Sequence, residues 1–541
     1  MRESRRERVR ATEARADRIH AYHDAVKNAP PAPPQTALVQ RAEPSRSSAA
    51  TGKLKILFVA SECTPFAKVG GLADFVAGLP KALRKMGHDA RIVIPLYDSI
   101  DRAKYGIEFE RSACIHMGNK EEQWVGIFKT KMDGGVPVWF VDCRRFFGRP
   151  GIYDEPWGEY GDNGFRYALL SKAATQICKD VNFIPDVMHG HDWPTALVPV
   201  FLKTWDRVLS PLSGTASVLT IHNVGYQGKY HASTFAYIGV GWEHLQPDRF
   251  EDYGKVNLLK AGIYFADAIT AVSPTYAKEI LDPGGGKGLA MYLNNRKADL
   301  SGILNGADYD HWNPEADPLI PAHYTGRDLR GKAVCKAELQ KRMGLVQRKD
   351  WPLFGIVSRM ADQKGFSLIR AALPQAMATM CMQFVVLGTG DWDTEQFFNW
   401  LASAYHGGVG CHIGFSNELS HWIEAGCDFF LMPSLYEPCG LNQMYSMKYG
   451  TLPIVRAIGG LEDTVQNYNQ ATGEGTGFKF VAPTSQALYD TIGWAVSTWF
   501  DRPQHYKKLQ QNAMAEDFSW EKSAAQYVDV YRRAIARRRA M

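Results

Sequence analysis

The 541-residue sequence contains no long apolar run, no closely paired cysteines and no concentration of charge within its body, and each absence removes a class of function. A membrane helix needs about 20 consecutive apolar residues, and no window approaches that. No secretory signal is expected, because the arginine-rich start is followed by no apolar segment. A plastid transit peptide is acid-poor, whereas residues 1–26 hold five acids. The nine cysteines form no CxxC pair and are odd in number, which argues against a disulfide framework and a zinc site and points to a reducing, cytoplasmic setting. The net charge is +5, but +4 falls on residues 1–52 and +5 on the last ten, so the intervening body stands at −4. Basic ends on a mildly acidic body do not make a nucleic-acid groove.

What is present is apolar material for more than one core. At 45% hydrophobic, the chain exceeds the roughly 250–300 residues at which single cores stop growing, so two large domains are expected. Residues 1–52 read as an extension: helix-forming composition to about residue 26, then the stiff NAPPAPPQ and the flexible SRSSAATGK. From Lys53 the pattern alternates strand and helix. LKILFVA, ARIVIPLY, VPVWFVD, VMHGHD, SVLTIH and AITAVS are short apolar strands, with helices over 163–181, 194–205 and 255–266. After a polar stretch near residues 306–332 a second series follows: PLFGIVSR, QFVVLGT, CHIGF, DFFLMPS and LPIVRA. The expected fold class is therefore α/β, with two doubly wound, Rossmann-like domains facing a deep cleft. The expected limits are 53–301 and 302–516, with a helix in 517–541 returning to the first domain.

In such sheets ligands sit beyond the carboxyl ends of the strands, and the motifs fall on those loops. KVGGLAD (68–74) puts Lys68, Gly70 and Gly71 before a helix, where free amides and close backbone approach suit a phosphate; the same residues also make an ordinary glycine turn. Asp74 either favours the helix dipole or accepts sugar hydroxyls. Gly459 and Gly460, after LPIVRAI, repeat the arrangement in the second series. SRMADQKG (358–365) offers Arg359 and Lys364 as cations for the distal phosphate of a leaving nucleotide. In YEPCGLNQ, Glu437 stands at a strand end and Gly440, Leu441 and Asn442 open a helix. HGHDW (189–193) places His189 and His191 two residues apart at a strand end with no third ligand nearby, which disfavours a metal site and leaves His191 as a substrate contact or a structural histidine. His222 and Asn223 in TIHN are a weaker candidate. DYD (308–310) and DWD (391–393) are set aside as chance acidic motifs, and GGGKG (284–288) as a mobile glycine loop without Walker spacing.

Taken together, KVGGLAD, HGHDW, AVSPTYAKEI (271–280), GILNGAD (302–308), SRMADQKG, EPCGL (437–441) and GGLEDTV (459–465) resemble bacterial glycogen synthases and plant starch synthases, in order, from about Lys53 to Arg533. The resemblance implies the GT-B arrangement, an acceptor-side first domain and a nucleotide-sugar-side second one. It implies transfer of glucose from ADP-glucose to the non-reducing end of an α-1,4-glucan with retained configuration, without a metal or other cofactor. By matching position, Lys68 and its glycine loop bind donor phosphates, and Asp74 and His191 orient the glucosyl group. Tyr153 and Asn305 lie near that sugar, and Arg359 and Lys364 neutralise the departing phosphate. Glu437 binds glucose hydroxyls, with Cys439, Gly440 and Leu441 presenting backbone around it. The chain departs from the family at Ile458, where threonine is common, and at Asn442, where threonine or isoleucine is common. A UDP-glucose-using glycosyltransferase and a catalytically silent glucan-binding homologue are the alternatives.

Overall fold

A computed structural model describes residues 52–155 and 157–540. The helical extension and linkers expected before residue 52 lie outside the described residues.

The first sheet contains β1 (Lys55–Val59), β2 (Asp89–Pro95), β3 (Glu108–His116), β4 (Glu122–Met132), β5 (Val136–Asp142), β6 (Val187–His191), β7 (Ala216–Ile221), β8 (Ala268–Ala271) and β9 (Leu300–Gly302). Their order is β9-β8-β7-β6-β1-β2-β5-β4-β3. Seven strands from β9 to β5 run parallel, while β4 and β3 join antiparallel at one edge. The parallel strands are mostly apolar and buried because helices cover both faces. The edge pair departs from the expected all-parallel sheet. Its sequences, EFERSACIH and EQWVGIFKTKM, are half polar because one face meets solvent, so they do not read as buried strands.

The second sheet contains β10 (Leu353–Val357), β11 (Gln383–Gly388), β12 (Val409–Ile413), β13 (Phe429–Met432), β14 (Leu452–Arg456) and β15 (Phe478–Phe480), all parallel in the order β12-β11-β10-β13-β14-β15. The short β15 is the strand that the sequence pattern does not reveal. Each sheet carries its own large apolar core.

The helix Trp520–Arg539 packs on the first sheet. Tyr531 OH meets His189 Nδ1 at 2.9 Å, and Arg538 donates to the carbonyls of Ser213 and Leu202, each at 3.0 Å. Trp520 is wedged between two glycines. A Cβ on Gly78 would lie 2.0 Å from its Nε1, and one on Gly306 would lie 2.5 Å from its Cδ2. Only glycine leaves that space. Among the described residues, no helix is long and apolar enough to cross a membrane.

Candidate active site

The carboxyl ends of both sheets open onto one cleft of about 1210 Å³. Its first-domain wall begins where β1 ends. The loop after β1 leads into the helix Gly71–Lys85, whose first turn carries Asp74. Lys68 Nζ lies 2.7 Å from Asp74 Oδ1, and Thr64 Oγ1 donates to the same oxygen at 3.2 Å.

Glu62, the acid that closes ILFVASE, organises this wall, and the sequence motifs did not single it out. Its Oε2 accepts the amides of Val69 and Gly70 at 2.5 and 3.0 Å, and its Oε1 accepts Tyr153 OH at 2.6 Å. Burial pushes its carboxyl above the ordinary glutamate range, and these three donors pull in the opposite direction. The Gly70 amide is therefore turned onto a carboxylate instead of standing free for phosphate. This corrects the reading of the loop as a bare set of amides: a buried carboxyl takes the nearest donors.

The second-domain wall is built from the loops after β10 and β13. Lys364 Nζ lies 2.7 Å from Glu437 Oε2, and Ser434 Oγ donates to that oxygen at 2.9 Å. Glu437 is 5% exposed. Arg359 lines the same wall with an exposed side chain, and its guanidinium makes no hydrogen bond or ion pair among the described residues. Cys439, Gly440 and Leu441 lead into the helix Asn442–Lys448, whose first amides lack intrahelical acceptors, as at any helix start. Gly440 has φ 72°, a conformation that favours glycine. Burial pushes the Cys439 thiol up to about 12, so it stays protonated. Asn442, at a position where the family commonly has threonine or isoleucine, donates to the Val357 carbonyl at 2.8 Å. Ile458 packs against the second core.

Lys68, Gly70, Gly71, Asp74, Tyr153, Asn305, Arg359, Lys364, Glu437, Cys439, Gly440 and Leu441 all line this one cleft. Asn305 is buried, and its Oδ1 has no partner among the described residues. Two expectations come out differently. His191 is fully buried and does not line the cleft; its Nδ1 sits 3.2 Å from Nε2 of His222, which does. Burial holds His189 and His191 neutral, well below the usual histidine range, and pushes His222 down to about 3.

Gly459 and Gly460 also lie off the cleft. The Gly459 amide donates to Glu279 Oε1 at 2.9 Å and the Gly460 amide to the Glu437 carbonyl at 3.2 Å, so neither is free for phosphate. The pair is glycine because the EPCGL loop presses on it: added Cβ atoms would lie 1.9 Å from the Glu437 carbonyl and 2.1 Å from that of Cys439. Asp463 returns the favour to the first domain. Its carboxylate accepts Thr275 N and Oγ1 at 2.8 and 2.7 Å, while Ser273 Oγ donates to the Pro438 carbonyl at 2.7 Å. The short helices Pro274–Glu279 and Gly459–Thr464 thus cap each other across the two sheets.

Of the motifs set aside, Asp310 pairs with Lys81 at 2.8 Å and Asp391 caps the helix Trp392–Ala404, and neither lines the cleft. The GGGKG loop is different from the free loop expected. The Lys287 carbonyl accepts from Gln227 at 2.8 Å, and Lys287 itself lines the cleft. Asp192 was missed too: it accepts the amides of His222 and Asn223 at 2.7 and 3.2 Å, and burial pushes it up to about 7.

The cleft can therefore hold an anionic ligand between a lysine-bearing first wall and a two-cation second wall, with Asp74 and Glu437 as a carboxylate on each wall. Comparison with known proteins agrees. A family model described as the starch synthase catalytic domain matches residues 55–295, and one described as glycosyl transferases group 1 matches residues 340–515. Glycogen synthase 1 of Geobacter metallireducens is 47% identical over 488 residues, which span 90% of this chain and 97% of that protein. Glycogen synthase of Treponema denticola is 44% identical over 494 residues, spanning 90% of this chain and 100% of its own length. The catalytic domain of starch synthase IV from Arabidopsis thaliana, solved with ADP and acarbose, superposes with a TM-score of 0.83 at 34% identity, over 90% of this chain and all of that one. A sucrose-phosphate synthase from Thermosynechococcus elongatus, at 17% identity and a TM-score of 0.55, shares the fold alone. On these matches the chain belongs to the family of bacterial glycogen synthases and plant starch synthases, GT-B glucosyltransferases with two Rossmann-like domains.

Proposed function

We propose that the enzyme transfers glucose from ADP-glucose to the 4-hydroxyl at the non-reducing end of an α-1,4-glucan, with retention, in the cytoplasm and without a metal in the transfer step. The observation that carries this reading is the Lys364–Glu437 pair, 2.7 Å apart on the cleft wall beside the unpaired Arg359. Breaking the glycosyl–phosphate bond develops negative charge on the diphosphate and positive charge on the sugar, so fixed cations at the phosphate are the main catalytic requirement. Arg359 and Lys364 serve the phosphate, and Glu437 serves the sugar hydroxyls while holding the Lys364 ammonium in place. Across the cleft, Lys68 adds charge at the donor phosphates, and Asp74 orients the glucosyl group. His191 acts through His222, which it orients, and not by direct contact. Tyr153 fixes Glu62 beneath this wall. The leaving phosphate takes the acceptor hydroxyl proton on the same face of the sugar, which gives retention without a second carboxylate. Gly459 and Gly460 act by seating the Glu437 loop.

The test is incorporation of radiolabelled glucose into glycogen from ADP-glucose and, in parallel, from UDP-glucose. ADP-glucose is expected to be used much faster. Equal use of both donors would overturn the donor assignment, and no incorporation from either would favour the silent glucan-binding alternative.

A further inference from the structure

Outside the cleft, the antiparallel edge of the first sheet carries a second cluster of chemically active side chains. β3 and β4 pair so that His116 stands directly opposite Glu122, while Cys114 stands opposite Trp124. Cys114 and His116 are two residues apart on one strand and so share a face. Glu122 faces His116 across the ladder, where paired Cβ atoms are about 5 Å apart. The Cys114 thiol, a His116 ring nitrogen and a Glu122 carboxylate oxygen all lie within 4.8 Å of one another. His116 Nδ1 is 3.7 Å from Glu122 Oε1, beyond hydrogen-bond distance. None of the three lines the cleft, and Cys114 forms no disulfide.

We propose that Cys114, His116 and Glu122 form a surface binding site for a divalent transition metal, Zn²⁺ by preference. The donor set decides the class. Thiolate and imidazole favour zinc over calcium or magnesium, and a carboxylate completes three of the four positions of a tetrahedron. Ligand atoms bound at about 2.0–2.3 Å to one zinc sit about 3.3–3.8 Å apart, so gathering them from their present spacing needs only side-chain adjustments. His116 and Glu122 have side chains 65% and 58% exposed, which leaves them free to make those adjustments. The fourth position opens to solvent. The metal joins the two strands on either side of the turn at Gly118–Lys120, where Asn119 and Lys120 both have positive φ, and it fastens the antiparallel edge of the first sheet.

The test uses the full chain, reduced and freed of metal by chelator and gel filtration. Zinc binding is measured by calorimetry for the wild type and for Cys114→Ser, His116→Ala and the double variant. One zinc per chain is expected to depend on these residues, with each single change weakening affinity at least tenfold. Substitution with Co²⁺ is expected to give a thiolate-to-cobalt charge-transfer band that disappears in Cys114→Ser. Absence of binding at low-micromolar zinc, binding undiminished in the double variant, or a band that survives Cys114→Ser would each overturn the proposal. Unfolding midpoints of the metal-free variants, expected to match the wild type, separate loss of ligands from loss of fold.

Discussion

Replacing Lys364 by methionine separates what the Lys364–Glu437 pair does for stability from what it does for catalysis. Glu437 is 5% exposed, and its carboxylate keeps only the Ser434 hydroxyl at 2.9 Å once the ammonium is gone. Breaking a fully buried pair costs about 3–5 kcal/mol because the remaining charge is stranded. The Lys364 side chain is 23% exposed, so water reaches the site, and the expected loss is smaller, about 2–3 kcal/mol. Adding Glu437→Gln removes the stranded charge, and most of that stability is expected to return, leaving a net loss near 1 kcal/mol. Turnover is expected to behave differently. Removing a fixed donor from a developing anion costs about 10²–10³ in rate, and the double variant recovers none of it. Denaturant unfolding of the four proteins in the cycle gives the coupling, glucose incorporation gives kcat, and glycogen co-sedimentation checks that acceptor binding survives. A coupling near zero would refute the buried-pair energetics; unchanged kcat in Lys364→Met would refute the assignment of Lys364 to the leaving phosphate.

The two glycine loops are expected to respond in opposite ways. Gly460→Ala drives a Cβ to 2.1 Å from the Cys439 carbonyl and must shift the EPCGL loop, so kcat falls at least tenfold in a folded protein, as circular dichroism and kinetics will report. Gly70→Ala meets no atom within 4 Å, so folding is unaffected; a raised KM for ADP-glucose is expected if the donor approaches that backbone, and an unchanged KM would reduce the loop to an ordinary turn. Asp463→Ala removes the cap on Thr275 and is expected to cost about 1 kcal/mol of stability and to lower kcat through looser seating of the domains. The buried histidines make stability pH-dependent. His189 has a folded-state pKa far below its unfolded value near 6.5, so the unfolded chain binds the extra proton and stability falls as pH drops below about 6.5. The raised carboxyls of Glu62 and Asp192 act with the opposite sign, so the informative quantity is a difference. His189→Gln should lower the slope of unfolding free energy against pH, between about 6 and 5, by up to about 1.4 kcal/mol per pH unit, and identical slopes would contradict the neutral buried imidazole.

Local chemistry made much of this protein legible. Fully apolar strands bounded by glycine and proline announced buried parallel sheets, because a strand covered on both faces has no polar side to show. LKILFVA, QFVVLGT and DFFLMPS appear as central strands β1, β11 and β13. The helix at Trp520–Arg539 likewise followed from its periodicity. The motifs on strand-to-helix loops converge because parallel topology puts every such loop at one end of its sheet. Lys68, Asp74, Arg359, Lys364 and Glu437 therefore meet in one cleft although they lie up to 369 positions apart.

What sequence alone did not decide was which groups are already occupied. Two similar Gly-Gly turns, at residues 70–71 and 459–460, differ in role because one borders open space and the other lies against the carbonyls of Glu437 and Cys439. Glu62, an unremarked acid at a strand end, takes the amides of the KVGG loop, and Glu279, 180 positions away, takes that of Gly459. His191 is drawn into the core by β6 while His222, in the loop just after β7, faces the cleft. The half-polar edge strands brought Cys114, His116 and Glu122 together through register, which no residue spacing records. Residue type and periodicity follow from the chain itself; the satisfaction of buried polar groups depends on whatever tertiary packing brings within 3 Å, and only the folded structure decides that.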